Sequence, residues 1–343
     1  MEKLIVFDNF QKKFKTNLIG PISFNVEKGK IVGLLGSSGS GKTVILNALL
    51  GIIKKYKGKI VVNNWDRKSH SYQKANRVIG YYTQMDFTLH DISAYNFLKD
   101  SCMIMGINND KIKQRVEYWM KYFDIWEHRS KKLKDFSWGM KNRMNLILCF
   151  IKEPELIIMD EPGANLDSYW RNKVKNLLVD FKKQGKTIVI TVHNIDEISD
   201  IIDDYIILES GKKIFEGSKE SIDIYAKYKL FIKDQFDVNS FRNYLMQENI
   251  LSFKYDSDEN SLVIAAKTYR QINYLFLYLI KNNLPLVNLL KLPINMESIH
   301  KALESKGITE INNIEKHNLK QDIITKKNKK IKKVKPKNAR LKK

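Results

Sequence analysis

Apolar and polar residues follow one another along this chain in blocks that predict strands and helices in alternation. Mostly apolar runs at residues 31–35, 156–159 and 187–191 have the length of buried strands, and the runs at 44–50 and 168–183 have helical spacing. Further strands are predicted at residues 4–10, 18–26, 59–62 and 78–82. Because strands that alternate with helices form parallel sheets, we predict an α/β fold with a mainly parallel sheet.

Helical spacing also dominates from residue 93 to about residue 132. Four aromatic residues recur there three or four positions apart, a stripe that is typical of a helix face packed in a core. These residues are Trp119, Tyr122, Phe123 and Trp126. We therefore predict that they pack inside a helical part of the fold rather than form a ligand platform.

The pattern after residue 225 differs from that of the first part of the chain. It predicts strands at residues 228–233, 250–255, 262–265 and 286–290, and helices at 238–247 and 268–281. The predicted domains are a large α/β domain at 1–224 with a helical subdomain at about 86–150, a small α+β accessory domain at 225–310, and a basic tail at 311–343. The tail has few core-forming residues and is expected to be disordered.

A glycine-rich segment joins the first buried strand to the helix that follows it. This segment is Gly36-Ser37-Ser38-Gly39-Ser40-Gly41-Lys42-Thr43, which matches the P-loop pattern. Its glycines let backbone N–H groups approach phosphate oxygens, and the helix directs its positive dipole end at the same anion. Lys42 is expected to reach the β- and γ-phosphates of a nucleotide, and the Thr43 hydroxyl to contact Mg²⁺.

Charge and composition change this picture little. The formal net charge is +22, and residues 326–343 are rich in Lys and Arg and contain no acid. The two cysteines, Cys102 and Cys149, lack metal or redox spacing and are expected in the core. No run approaches the roughly 18 apolar residues of a membrane span, and the first residues lack a signal-peptide pattern, so a cytosolic protein is expected.

With these residues identified, the chain resembles the ATP-binding subunit of an ABC transporter over about residues 4–222. The segment at 156–161 is similar to the Walker B strand of that family, which implies that Asp160 holds Mg²⁺ through water and that Glu161 deprotonates the attacking water. Gln84 matches the glutamine of the Q-loop, and His193 matches the switch histidine that contacts the γ-phosphate. Residues 164–167 resemble the D-loop. The resemblance further implies an antiparallel β part and a helical subdomain.

Phe136-Ser137-Trp138-Gly139-Met140 stands where the family has its signature LSGGQ. Ser137 and Gly139 are kept, whereas Trp138 and Met140 differ, a form similar to that of drug, bacteriocin and lantibiotic exporters. In the family these residues complete the nucleotide site of the opposite subunit. Phe14 aligns with the aromatic residue that stacks on adenine.

The resemblance implies that the chain binds ATP and Mg²⁺, forms a cassette dimer with itself or a related subunit, and docks through residues 87–106 on a separate permease. The protein is then peripheral on the cytoplasmic face of the cell membrane. The charge of the tail predicts either no partner or binding to the anionic membrane surface, with nucleic acid as a third and less favoured partner. The alternative function is that of a soluble ABC ATPase acting on ribosomes or nucleic acid. The single P-loop disfavours it, since such factors resemble tandem cassettes. The tail also lacks aromatic residues for base stacking.

Overall fold

A computed structural model describes residues 2–70, 72–163, 166–191, 195, 198–218, 221, 226–233, 237–247, 252–266, 269–292, 299 and 303. No helix within these residues is long and apolar enough to cross a membrane.

A six-stranded sheet forms the centre of the first part of the chain. Its strands are β3 (Ile31–Gly36), β6 (Ile79–Tyr82), β7 (Leu156–Asp160), β8 (Thr187–Thr191), β9 (Asp204–Glu209) and β10 (Lys212–Ser218). Their order is β10-β9-β3-β8-β7-β6, and every pair is parallel except β9 with β10. The predicted α/β fold is confirmed, and the carboxyl ends of the parallel strands lie along one edge of the sheet.

The two faces of this sheet are both covered, which explains the continuous apolar runs of its strands. Along β3, Val32 and Leu34 belong to one buried cluster, whereas Ile31 and Leu35 belong to another. This split follows the two-residue period of a strand. The cluster that contains Val32 and Leu34 also contains residues of a second sheet and of the helix α1 (Lys42–Leu49). This second sheet is antiparallel and has the four strands β1 (Lys3–Lys13), β2 (Leu18–Glu27), β4 (Lys57–Val62) and β5 (Trp65–Asp66).

Helices cover the other face. They are α3 (Ala94–Ile104), α4 (Asn109–Tyr122), α5 (Trp138–Phe150) and α6 (Ser168–Lys183), while the short α2 (Tyr72–Arg77) lies beside β5. Trp119 and Phe123 are buried in the cluster of this face, and Tyr122 and Trp126 pack against it. The prediction that these aromatic residues form core is confirmed. Cys102 and Cys149 are buried in the same cluster, as expected.

The sequence reasoning missed the strands β9 and β10. The apolar run of β9 is short and flanked by acidic residues, and β10 is largely polar, so neither has a strong pattern of its own. Pairing with β3 stabilises β9, and a tight turn through Ser210 and Gly211, both at positive φ, brings β10 back beside it. A Ser-Gly pair between two strand-like runs is the signal that could have found this hairpin.

The accessory part has the order β11 (Ala226–Ile232), α7 (Val238–Gln247), β12 (Ser252–Asp256), β13 (Ser261–Ala266), α8 (Tyr269–Lys281) and β14 (Leu286–Leu292). Its antiparallel sheet has the strand order β12-β13-β11-β14, which is that of a ferredoxin-like βαββαβ unit. It has its own buried cluster, so the predicted α+β character is confirmed. The domain boundaries stay predictions. Ile299 and Leu303, inside the predicted accessory range, are buried in the cluster of the cassette helices instead.

Candidate active site

The glycine-rich segment forms a compact loop between β3 and α1. A Cβ on Gly36 would lie 2.3 Å from the Ser40 hydroxyl oxygen and 2.4 Å from the Leu208 carbonyl oxygen, so only glycine fits there. Gly39 has a φ of 79°, and no described atom lies within 4 Å of a Cβ placed on it. Ser40 N–H donates to the Ser37 carbonyl oxygen at 3.1 Å and closes the turn. The loop therefore has the open backbone surface that a phosphate group requires.

Lys42 is the charged residue of this loop. Its side chain is only 6% exposed, and its Nζ donates to the carbonyl oxygens of Gly36 at 2.7 Å and of Ser37 at 3.1 Å. Burial lowers the pKa of Lys42 below its usual value, and the negative charges of Glu161 and Asp160 partly oppose this shift. A buried ammonium group at the start of a helix favours the binding of an anion.

A cleft of about 300 Å³ opens beside the loop. It joins residues that are distant in sequence: an aromatic residue from the turn after β1, the loop itself and an acidic residue that follows β7. Its lining consists of Phe14, Asn17, Ile19, Ser38, Gly39, Gly41, Lys42, Thr43, Val44 and Glu161. The structure thus brings the predicted adenine-stacking residue Phe14, the phosphate loop and one predicted catalytic residue, Glu161, together in one cleft. Phe14 is 41% exposed, and the Nζ of Lys12 lies 5.5 Å from the centroid of its ring.

Asp160 and Glu161 are held by Thr191 on the neighbouring strand. The Thr191 hydroxyl donates to Asp160 Oδ1 at 2.6 Å and accepts from Glu161 N–H at 3.0 Å. Glu161 N–H also lies 3.2 Å from the Thr191 carbonyl oxygen, and Glu161 has a φ of 50°, which is unusual for a residue with a side chain. This buried hydroxyl fixes both carboxylate residues at the end of β7. The register explains its place, because Asp160 pairs with Thr191.

Thr191 was not identified from the sequence, because no motif marks it. The available signal was a hydroxyl residue at the end of the strand predicted next to the motif residues. Gln84 is exposed and follows β6, at the same edge of the sheet as Asp160, but it does not line the cleft as described. His193 lies outside the described residues, as do Ala164 and Asn165 of the D-loop.

Ser137 and Gly139 lie at the start of α5. Ser137 is the N-cap, and its hydroxyl oxygen accepts from Met140 N–H at 3.4 Å. At Gly139, no atom in the described part of the chain lies within 4 Å of the point that a Cβ would occupy. Neither residue is in the lining of the cleft that holds Lys42.

The chemistry of the donors at the cleft fits Mg²⁺. The Thr43 hydroxyl, in the lining of the cleft, and the Asp160 carboxylate, at the end of β7, would offer the hard oxygen ligands that Mg²⁺ prefers. Among the described residues, no group of three or more His, Cys, Asp or Glu side chains could hold a metal ion without other ligands. A bound Mg²⁺ would therefore need phosphate or water oxygens as its remaining ligands.

Comparison with known proteins tests the family. The sequence model of the family described as ABC transporter matches residues 19–164. An ABC transporter ATP-binding protein of Methanocaldococcus jannaschii is 30% identical over 223 residues, which are 65% of this chain and 80% of that protein. The chain belongs to the ABC transporter ATP-binding family. It is accordingly an ABC-type ATPase, and the predicted family is confirmed.

Two further similarities describe this ABC ATPase. The Nod factor export ATP-binding protein I of a Rhizobium species is 30% identical over 213 residues, covering 62% of this chain and 70% of that protein. A solved dimeric ATP-binding cassette in a post-hydrolysis state with ADP and phosphate has a TM-score of 0.56 at 21% identity, covering 62% of this chain and 98% of that one. The second similarity shows the cassette fold. The roles of the individual site residues stay predictions.

The hydrogen bonds of Thr191 lead to a prediction for this ABC ATPase. Thr191→Val removes the hydroxyl that orients Asp160 and Glu161, so we expect the turnover number to fall about tenfold or more. The affinity for ATP should change by less than about twofold, since the loop around Lys42 is untouched. Steady-state ATPase assays and equilibrium nucleotide binding measure the two effects. Thr191→Ser keeps the hydroxyl and is the matched control. Equal activity of the Val and Ser variants would contradict the prediction.

Proposed function

We propose that this chain supplies the ATP-driven step of an exporter whose transport path lies in a separate permease. The single observation that carries the proposal is the cleft that unites Phe14, Lys42, Thr43 and Glu161. The direction of transport is supported by the similarity to the Nod factor export protein. Action on ribosomes or nucleic acid is the alternative that this relationship disfavours.

Membership in the ABC ATPase family supports a role for each predicted site residue in hydrolysis. Phe14 stacks on adenine, while Lys42 and the loop N–H groups bind the β- and γ-phosphates. Thr43 and Asp160 hold Mg²⁺, which neutralises charge on the phosphates when it is bound. Glu161 accepts a proton from the attacking water. Gln84 and His193 take part as catalytic residues that sense Mg²⁺ and contact the γ-phosphate.

The proposed working unit is a dimer in which Ser137 and Gly139 complete the nucleotide site of the partner subunit. Their absence from the lining of the cleft of their own chain and the open space at Gly139 support this role. A helix start with a Ser cap offers a hydroxyl and N–H groups to a γ-phosphate. ATP then binds the closed dimer preferentially, and hydrolysis releases it.

The assignment of Glu161 as the base is tested by Glu161→Gln. The amide cannot accept the proton of the attacking water, so we expect turnover to fall at least about a hundredfold. ATP binding should persist, because the contacts of Lys42 and Thr43 remain, and the ATP-bound dimer should accumulate. Phosphate release and size-exclusion chromatography with ATP measure these effects. Hydrolysis at the rate of the unmodified protein would show that Glu161 is not the base.

Exposed apolar residues that follow Gln84 in the sequence are proposed to form the surface that docks on the permease. Within residues 85–105, Leu89 is 93% exposed and Ile104 is 87% exposed, and three methionines are exposed near them in the sequence. These are Met85, Met103 and Met105. Unbranched methionine side chains adapt readily to a partner helix. Most of this surface lies within residues 87–106, the predicted region of permease docking.

We expect Leu89→Asp and Ile104→Asp to reduce the recovery of integral membrane proteins with the tagged chain, because a carboxylate would be buried in an apolar contact. Affinity isolation from native membranes followed by protein identification is the measurement. Ile52→Asp is the matched control, since Ile52 is also exposed, at 64%, but lies after α1. The variants should keep ATP affinity. Recovery of ribosomes in place of a membrane protein would favour the alternative function.

Residues 326–343, the part of the basic tail that is richest in Lys and Arg, lie outside the described residues. This part is proposed to bind the anionic inner leaflet of the membrane. Each Lys or Arg near such a surface contributes about 1 kcal/mol. A chain that ends at residue 315 should therefore sediment less with anionic vesicles, and neither chain should sediment with neutral ones. Its ATPase activity should not change. Tight tail-dependent binding to RNA, with none to vesicles, would contradict this proposal and support nucleic-acid binding.

A further inference from the structure

The ends of three helices meet around the side chain of Trp170. They are the carboxyl end of α4, the start of α5 that carries Ser137 and Gly139, and the first turns of α6 that follow the D-loop. Trp170 is 9% exposed, and two cations lie over its ring. The guanidinium carbon of Arg143 is 4.7 Å from a ring centroid, and the Nζ of Lys173 is 4.6 Å away. We call Arg143, Trp170 and Lys173 the tryptophan clamp.

Both cations of the tryptophan clamp also bind the carboxyl end of α4. Arg143 Nη1 donates to the Phe123 carbonyl oxygen at 3.1 Å, and Lys173 Nζ donates to the Tyr122 carbonyl oxygen at 2.6 Å. These carbonyl groups belong to the last turn of a helix, where they lack partners in the helix and carry its negative dipole end. One cation comes from α5 and the other from α6, so the end of α4 ties these two helices together.

The tryptophan clamp contacts both the signature segment and the residue that caps the start of α6. On one side, Arg143 Nε lies 3.4 Å from the Gly139 carbonyl oxygen, within the first turn of α5. On the other side, Asp167 accepts from Trp170 N–H at 2.9 Å and thereby caps the start of α6 directly after the D-loop. A continuous path of contacts thus joins Gly139 to Asp167 through the Arg143 side chain, the Trp170 ring and the Trp170 backbone N–H.

We propose that Arg143 and Lys173 are positioning residues that act through Trp170 and hold the signature segment and the start of α6 in a fixed relation. The two segments then reach the nucleotide of the partner subunit as one unit. The proposal rests on the proposed role of Ser137 and Gly139 across the dimer. The open surroundings of Gly139 make such support necessary, because side-chain packing does not fix that turn from its exposed side.

Cation–ring contacts and hydrogen bonds to carbonyl groups suit this task better than apolar packing alone. Both depend on direction as well as distance, so they limit rotation and sliding of α5 against α6. Arg143 can contact the ring and donate to two carbonyl groups at once, since its planar guanidinium carries several N–H donors. Lysine at position 143 would keep the charge and lose this combination.

The first test uses Arg143→Met and Lys173→Met, which keep much of the apolar stem and remove the cation. We expect the turnover number of each homodimer to fall about tenfold or more, because the signature is misplaced relative to the γ-phosphate. Nucleotide affinity of the separate subunit should stay within about twofold, since the cleft around Lys42 is intact. Arg143→Lys should recover part of the lost turnover. Full activity of both Met variants would overturn the proposal.

A second test separates positioning from a general structural role. A Lys42→Ala subunit is mixed with an Arg143→Met subunit, and mixed dimers are isolated through two different affinity tags. If Arg143 acts on the nucleotide of the partner, one site of each mixed dimer carries both defects and the other carries neither. Activity should then return to about half of that of the unmodified dimer. If Arg143 supports only its own subunit, each site carries one defect and activity stays low, which overturns the proposal.

A further mixture and a further variant show which proposal each outcome contradicts. Lys42→Ala mixed with Gly139→Asp tests whether the signature itself acts across the dimer. If ATPase activity returns in the mixture with Gly139→Asp but not in the mixture with Arg143→Met, the proposed role of the tryptophan clamp is wrong. If activity returns in neither mixture, the proposed role of the signature across the dimer is wrong as well. Lys173→Met is tested in the same way and replaces Arg143→Met if that variant does not fold, as judged by circular dichroism and thermal unfolding.

Discussion

The parallel pairing of β3, β8 and β7 is the constraint on which the active site depends. These strands are buried on both faces, so their register is fixed by packing from two sides, and a slip of one residue would exchange the side chains of the two clusters. Because the strands run in the same direction, Gly36, Asp160 and Thr191 all lie at one edge. Short hydrogen bonds between neighbouring strand ends then suffice to arrange catalytic groups that are distant in sequence.

The electrostatics of the cleft follow from this arrangement. Lys42 is buried, yet its Nζ donates hydrogen bonds to two carbonyl oxygens of its own loop. Its positive charge also interacts with the acidic residues at the end of β7. Asp160 in turn accepts a hydrogen bond from Thr191. Lys42 and Asp160 therefore both have hydrogen-bond partners within the protein.

Part of the fold and of the candidate site could be predicted from the sequence, and part could not. The helix at Ser168–Lys183 and the strand at Thr187–Thr191 were predicted with their observed bounds, because strong periodicity and a clear turn define them locally. The P-loop, Asp160 and Glu161 were found through their motifs. Thr191 could not be found in this way, since its importance comes from its register with Asp160 on the neighbouring strand β7, which no motif at Thr191 marks. The ends of α4, α5 and α6 meet at Trp170 only through tertiary packing, which local patterns do not reveal.

The burial of Ile299 and Leu303 limits where the chain can be cut to obtain the cassette alone. The chain leaves the cassette after β10, forms the ferredoxin-like unit, and then returns two apolar side chains to the buried cluster of the cassette helices. A protein cut after Ser218 would therefore be an incomplete cassette with two vacated volumes in its interior. Loss of one large apolar side chain from a core commonly costs about 2–5 kcal/mol, so a cassette cut after Ser218 is expected to be less stable than one that keeps the sequence after the accessory sheet.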